Sequence, residues 1–136
     1  MTPVGTVVWQ GIAQALQVTS RADLMQAIEQ ARKAARHQGV PLSVELRIDN
    51  SGVMSILVGA DRSYLVFKPE NGHFCHVADD VHAGNTRPGK CLAFIEDGHL
   101  SEIDLRLTVP FELAQEALLS FAETGEIPRS LPWMSA

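Results

Sequence analysis

The chain contains 136 residues, of which 46% are hydrophobic and 20% are charged, and its formal net charge is −5. This length and composition are typical of one folded domain, and they exclude a disordered chain, which would have fewer apolar residues. The negative charge argues against nucleic acid as the main partner, because phosphate binding needs a concentrated basic face.

We expect no segment that directs the chain to or through a membrane. No apolar run approaches the roughly eighteen residues needed to span a bilayer. The first residues lack the basic start of a signal peptide, so we expect a cytoplasmic protein. The two cysteines, Cys75 and Cys91, fit a reducing compartment, in which a structural disulfide is not expected.

Residues 1–19 are the least well assigned part of the sequence. Val7 to Trp9 favour a strand, whereas residues 12–18 fit either a second strand or a short helix. A helix is then predicted from Ser20, a typical N-cap, to Gly39, the expected left-handed terminator. Its apolar stripe consists of Leu24, Ala27, Ile28, Ala31 and Ala35.

The middle of the chain alternates between apolar and polar residues, which predicts antiparallel strands joined by tight turns. The predicted strands are residues 42–48, 53–58, 64–67, 73–77, 91–95 and 102–109. A longer polar loop is predicted over residues 78–89.

A last helix is predicted from Pro110 to Gly125, with its apolar stripe on Phe111, Ala114, Ala117, Leu118 and Phe121. Together these elements predict a single α+β domain over residues 1–136. We expect an antiparallel meander sheet of about six strands, with two amphipathic helices packed on one face.

Soft metal ligands cluster at His73, Cys75, His76, His82 and Cys91. A tetrahedral zinc site needs four converging ligands. On a strand, however, His73 and Cys75 point one way and His76 the other, and the sequence has no Cys-x-x-Cys pair. A small metal-binding protein or enzyme built on His73, Cys75, His82 and Cys91 stays an alternative, and our main prediction includes no metal and no cofactor.

Acidic residues dominate the stretch from Glu96 to Glu126, where Arg106 is the one base. This stretch is either a solvated outer face or a patch for a basic partner. The paired acids Asp79-Asp80 and Glu96-Asp97 lie at predicted turns, where acids are ordinary. No phosphate-binding loop or nucleophile elbow is present, so we do not expect an enzyme.

The C-terminal third carries a distinctive order of residues. Val109-Pro110 opens a helix that contains Phe121, and Thr124-Gly125, Pro128 and Trp133 follow. This order resembles the closing signature of a bacterial immunity-protein family whose members occur beside polymorphic toxins, often nucleic-acid deaminases. The resemblance covers residues 20–135, and Gly59, Tyr64 and Gly72 in the upstream hairpins also fit it.

The resemblance implies a protein that neutralises a cognate toxin by tight, non-catalytic binding. The matching residues are interpreted as structural: Pro110, Phe121, Gly125, Pro128 and Trp133. The acids predicted to contact the toxin are Asp79, Asp80, Glu96, Asp97, Glu102 and Asp104. A structural or regulatory module that dimerises through a sheet edge is a further alternative, and the sequence leaves monomer and homodimer open.

Overall fold

The computed structural model describes residues 5–9, 11, 14–77, 90–96 and 98–135. These residues form two α-helices, α1 (Arg21–Gln38) and α2 (Phe111–Thr124). The strands are β1 (Gly5–Trp9), β2 (Leu16–Val18), β3 (Leu42–Ile48), β4 (Gly52–Val58), β5 (Arg62–Ser63), β6 (Leu65–Pro69), β7 (Cys75–Val77), β8 (Cys91–Glu96), β9 (His99–Asp104), β10 (Val109–Pro110) and β11 (Met134–Ser135).

Helix α1 begins and ends where the sequence predicts. The Ser20 side chain accepts a hydrogen bond from the Asp23 amide at 3.1 Å. Gly39 adopts the left-handed conformation with φ of 77°, and its amide donates to the Ala35 carbonyl at 2.9 Å. The buried residues of α1 are the five of the predicted stripe, so this prediction is confirmed.

Helix α2 follows Pro110 directly and ends at Gly125, which has a φ of 74°. The Gly125 amide donates to the Phe121 carbonyl at 2.7 Å, and this bond satisfies one of the last carbonyls of the helix. Its buried residues are Phe111, Ala114, Ala117, Leu118, Leu119, Phe121 and Ala122.

Nine strands among the described residues form the larger sheet, and seven of them lie side by side in the order β11-β7-β6-β4-β3-β1-β2. Strand β8 joins the start of β3 in parallel at Leu42 and Ile95, and β9 pairs with β8 alone. Strands β5 and β10 form a separate two-stranded sheet.

Both helices pack on the same face of the larger sheet, so the predicted α+β class is confirmed. Each helix contacts β3 and β4, and the helices also contact one another. Arg21 of α1 forms ion pairs with Glu116 and Glu123 of α2 at 3.4 and 3.2 Å. The sheet has more strands than predicted, because strands as short as β2 and β11 contain too few residues to show a periodicity.

The predicted strand over residues 102–109 is wrong in its second half. Strand β9 ends at Asp104, and Leu105–Leu107 form a 3₁₀ turn. The Asp104 carboxylate accepts from the Arg106 amide at 2.9 Å, and the Thr108 hydroxyl donates to the Leu105 carbonyl at 2.6 Å. These local bonds to the backbone compete with strand pairing, and the chain becomes extended again only at β10.

The main core lies between the helices and the sheet. Phe121 is fully buried, and its ring meets that of Phe67 edge-to-face at 5.3 Å between centroids. The Trp133 ring lies 6.3 Å from that of Phe67, and its indole N–H donates to the Pro128 carbonyl at 3.0 Å. Neither helix formed by the described residues is long and apolar enough to cross a membrane.

Candidate functional site

Within the described part of the chain, no helix covers the face of the sheet opposite α1 and α2. Side chains alternate between the two faces along each strand. On β3, Leu42, Val44, Leu46 and Ile48 enter the core, which turns Glu45 and Arg47 to the opposite face. The same alternation on β4 turns Val53, Ser55 and Leu57 away from the helices.

The β8–β9 hairpin limits this open face at one end. Leu57 and Phe94 are 2% and 5% exposed, yet neither belongs to the core beneath the helices. Ser43, which shares the outward face of β3, is also buried. The sheet therefore has a second, smaller buried region near the hairpin, and this region marks the end of the open face.

Between the hairpin and Phe74 the open face forms a groove with a volume of about 630 Å³. Its apolar floor includes Val53 and Val66, which are both half-buried. We call this site the open-face groove, and the described residues that line it are Glu45, Arg47, Val53, Ser55, Tyr64, Val66, Lys68, Phe74 and Glu96.

A neighbouring hollow extends the groove toward the β3–β4 turn. The two share Arg47, Val53 and Lys68, and the second adds Asp49 and Glu70. A long concave strip therefore crosses the open face.

Arg47 and Lys68, the two cations among the described groove residues, each have a partner within the fold. The Arg47 guanidinium donates twice to one carboxylate oxygen of Glu45, at 2.8 and 3.2 Å. The Lys68 ammonium lies 5.2 Å from the centroid of the Phe74 ring, within the range of a cation–π contact. Phe74 itself is 51% exposed, so much of its ring is free for a partner to contact.

Tyr64 lines the open-face groove. Its hydroxyl is 3.4 Å from Nδ1 of His76, and the two rings are tilted with centroids 5.9 Å apart. Partial burial raises the pKa of the Tyr64 phenol, and the negative charge of Glu96 raises this pKa further. The phenol is thus a neutral hydrogen-bonding group at physiological pH, with an imidazole nitrogen within reach of its hydroxyl.

The structure divides the acids that the sequence groups together. Glu96 lines the open-face groove. Glu102 and Asp104 pair with Ala93 and Cys91, so they project from the opposite side of the hairpin to Glu96. Asp79, Asp80 and Asp97 lie outside the described residues.

Several other acids of the run from Glu96 to Glu126 are already paired. Arg106 binds both carboxylate oxygens of Asp104 at 2.8 to 3.2 Å, and this hydrogen bonding holds the pKa of Asp104 below its ordinary value. Glu116 and Glu123 are bridged by Arg21 across the two helices. The run is therefore not one continuous acidic patch.

The signature residues of the C-terminal third surround the end of α2. Pro110 precedes the helix, Phe121 is buried in the core, and Gly125 ends the helix in the left-handed conformation. Pro128 and Trp133 are half-buried and joined by the indole hydrogen bond. All five lie away from the open-face groove, since none of them lines it.

The family model described as Immunity protein Imm1 matches residues 12–135. The chain belongs to this family. The match spans nearly the whole sequence, so the suspected immunity-protein resemblance is confirmed. No curated protein was found to match the sequence.

The alternative of a metal site does not gain support from the described part of the chain. No group of three or more His, Cys, Asp or Glu side chains there could hold a metal ion. The Cys75 thiol donates to the Phe67 carbonyl at 3.5 Å, and partial burial raises its pKa. Cys91 is exposed on the hairpin, and His82 lies outside the described residues.

Of the groove residues, only Glu96 is predicted from the sequence as a toxin contact. Tyr64 fits the family pattern, Val66 and Phe74 belong to predicted strands, and Lys68 has no predicted role. A signal for these residues is present in the sequence. Every second residue of β3, β4 and β6 faces away from the core, and the sequence predicts no third helix to cover that face of the sheet.

Proposed function

We propose that the chain neutralises a cognate bacterial toxin by tight, non-catalytic binding, and that this toxin is a nucleic-acid deaminase acting in the cytoplasm. The observation that carries the proposal is the family match over residues 12–135. Membership in the family supports a protein toxin as the partner. The deaminase activity of that toxin is our own, more specific proposal.

Electrostatics support this pairing of partners. A toxin that acts on nucleic acid needs positive charge around its site. The net charge of −5 on this chain would steer it toward such a surface and speed association. The tightest immunity complexes reach dissociation constants on the order of 10⁻¹³ M or below.

The acids proposed to contact the toxin remain Asp79, Asp80, Glu96, Asp97, Glu102 and Asp104. The hairpin presents Glu96 on one side and Glu102 and Asp104 on the other. A toxin that touches all three would therefore have to wrap around the hairpin. A toxin that binds the groove alone would meet Glu96 and not the other two.

The first test is a pull-down from native lysate with the chain as bait at moderate salt. We expect one stoichiometric partner with a toxin domain whose toxicity the chain suppresses. Recovery of no partner from a lysate shown to contain the neighbouring gene product would contradict the proposal.

A titration then separates binding from catalysis. Toxin held well above the dissociation constant should lose all activity at one equivalent of the chain, because each complex removes one toxin molecule. Complete loss at a small fraction of one equivalent would instead indicate turnover and contradict a non-catalytic mechanism.

Charge reversal tests the acidic contacts. Glu96→Lys, Glu102→Lys and Asp104→Lys together should slow association about tenfold or more at low salt. The control combines Glu29→Lys, Glu112→Lys and Glu126→Lys, which changes the net charge equally on exposed residues of the helical side. Equal rates for the two triple variants would refute the proposed contacts.

A further inference from the structure

The open-face groove is a concave surface that neither helix of the described residues covers. We propose that this groove is the part of the chain that receives the toxin, and that its occupant is a toxin loop with a basic side chain flanked by apolar ones. This inference rests on the proposed function, and it names a surface and a partner chemistry that the family match does not provide.

The lining of the groove suits a protein partner. Hot spots of protein interfaces are enriched in Tyr, Trp and Arg, and they lie in pockets that exclude water. The groove contains Arg47 and the one tyrosine of the chain, Tyr64, beside the half-exposed ring of Phe74. Its floor of Val53 and Val66 offers apolar area that a partner's side chains would remove from water.

The charges of the strip favour a basic occupant. Among the described residues, the groove and its extension contain four carboxylates, those of Glu45, Asp49, Glu70 and Glu96, against the two cations Arg47 and Lys68. The described lining of the strip therefore has an excess of two negative charges. A cationic side chain would lie near Tyr64, where the Glu96 charge already acts on the phenol. The aromatic face of Tyr64 can also stack against a guanidinium.

The size of the groove agrees with a loop as the occupant. A standard interface buries about 800 Å² on each partner, which is about a tenth of the 7759 Å² surface of the described chain. The groove volume of about 630 Å³ admits a few side chains. The hairpin and the β3–β4 turn would supply the remaining contacts around its rim.

A second copy of the chain is a poorer occupant. In a two-fold dimer the same patch meets itself, so the excess carboxylates of one copy would face those of the other. Like charges placed opposite one another oppose association. The electrostatics therefore favour a different, basic partner.

The test blocks the groove without touching the core. Ser55 lines the groove on β4, opposite Glu45, with its side chain on the open face. Ser55→Arg should weaken binding of the toxin domain recovered in the pull-down by at least about thirtyfold, the effect of losing a hot spot. Gln30→Arg, on the exposed side of α1, adds the same charge and should leave the dissociation constant unchanged.

Phe74→Ala provides a second variant for the case in which Ser55→Arg does not fold, because Phe74 is outside every strand. It should weaken binding about tenfold or more. If the wild-type chain binds but neither folded groove variant weakens the complex, the inference is overturned while the proposed function stands. If the wild-type chain binds no toxin, both are overturned.

Two further measurements test the occupant's chemistry. Glu96→Gln should weaken the complex, whereas Lys68→Gln should leave it unchanged or tighten it, because Lys68 would oppose a basic loop. Weakening by Lys68→Gln with no effect of Glu96→Gln would indicate an acidic occupant and overturn the proposed chemistry. A wild-type dimer that Ser55→Arg converts to a monomer would show a second copy in the groove and overturn the inference.

Discussion

The two faces of the central sheet are built from the same strands but have different physical properties. On the covered face, Leu46, Met54 and Ile56 are fully buried beneath the helices. On the open face, Glu45 and Ser55 are only half-buried and lie beside a groove. The comparison indicates that stability depends mainly on one face, which leaves the other free to vary with the partner.

The largest difference between the faces is expected for truncation of a core aromatic. Phe121→Ala should lower the free energy of unfolding by about 3–5 kcal/mol, because it removes a fully buried ring and leaves a cavity beside Phe67. Val66→Ala on the open face should cost less than about 1.5 kcal/mol, since its side chain is only half-buried. Denaturant unfolding measures both values, and similar losses would show that the open face is part of the stabilising core.

Close packing beneath the covered face gives the second prediction. A Cβ at Gly59 would lie 2.7 Å from the Cβ of Ala35 on α1, and Gly59 has a φ of 107°. Gly59→Ala should therefore cost about 1–3 kcal/mol through overpacking and backbone strain. Gly39→Ala is the matched control, because φ is 77° there and a new Cβ would meet nothing within 4 Å. A loss at Gly59 no greater than at Gly39 would show that α1 can shift away from the turn.

The covered face could largely be predicted from the sequence, because its information is local and periodic. The caps at Ser20 and Gly39 fix the ends of α1 through hydrogen bonds within a few residues. Alternation on β3 and β4 likewise assigns each side chain to a face.

The open-face groove could be predicted only in part, because its wall at Glu96 depends on contacts between distant segments. Glu96 reaches the groove only because β8 pairs with the start of β3, through a hydrogen bond from the Ile95 amide to the Pro41 carbonyl at 2.9 Å. No local pattern encodes this pairing. Glu96 lies on one side of the hairpin, and Glu102 and Asp104 lie on the other, because of the register in which β8 pairs with β9. Their closeness in the sequence does not indicate this separation.

Removing an exposed aromatic should separate binding from stability. Phe74→Ala should change the free energy of unfolding by no more than about 1 kcal/mol, since it loses mainly an exposed cation–π contact with Lys68. Its effect on toxin binding should be larger than its effect on stability. A variant that unfolds readily would show that Phe74 supports the fold, and the division between the two faces would then fail at this residue.

The smallest expected effect concerns the ionisation of Tyr64, and it tests how far the groove excludes water. Partial burial and then Glu96 raise the pKa of this phenol above its ordinary value of about 10. As the pH rises past about 10, the phenol ionises first in the unfolded chain, and this ionisation favours unfolding. The phenol therefore lowers stability between about pH 10 and its folded pKa, and it has no such effect at lower pH. Tyr64→Phe should remove this alkaline loss and leave the pH dependence near neutrality unchanged.

Tyr64 can be followed alone, since the chain has one tyrosine. The ultraviolet absorbance of its phenolate should report a pKa above the ordinary value in the folded chain. Glu96→Gln should lower this pKa, because it removes the charge that opposes the phenolate, but the contribution of burial should remain. If the Tyr64 phenol titrates at the ordinary pKa in both the wild-type chain and Glu96→Gln, water reaches Tyr64 freely. The open face would then be a flat, solvated surface, and the apolar contribution that we expect from the groove would be lost.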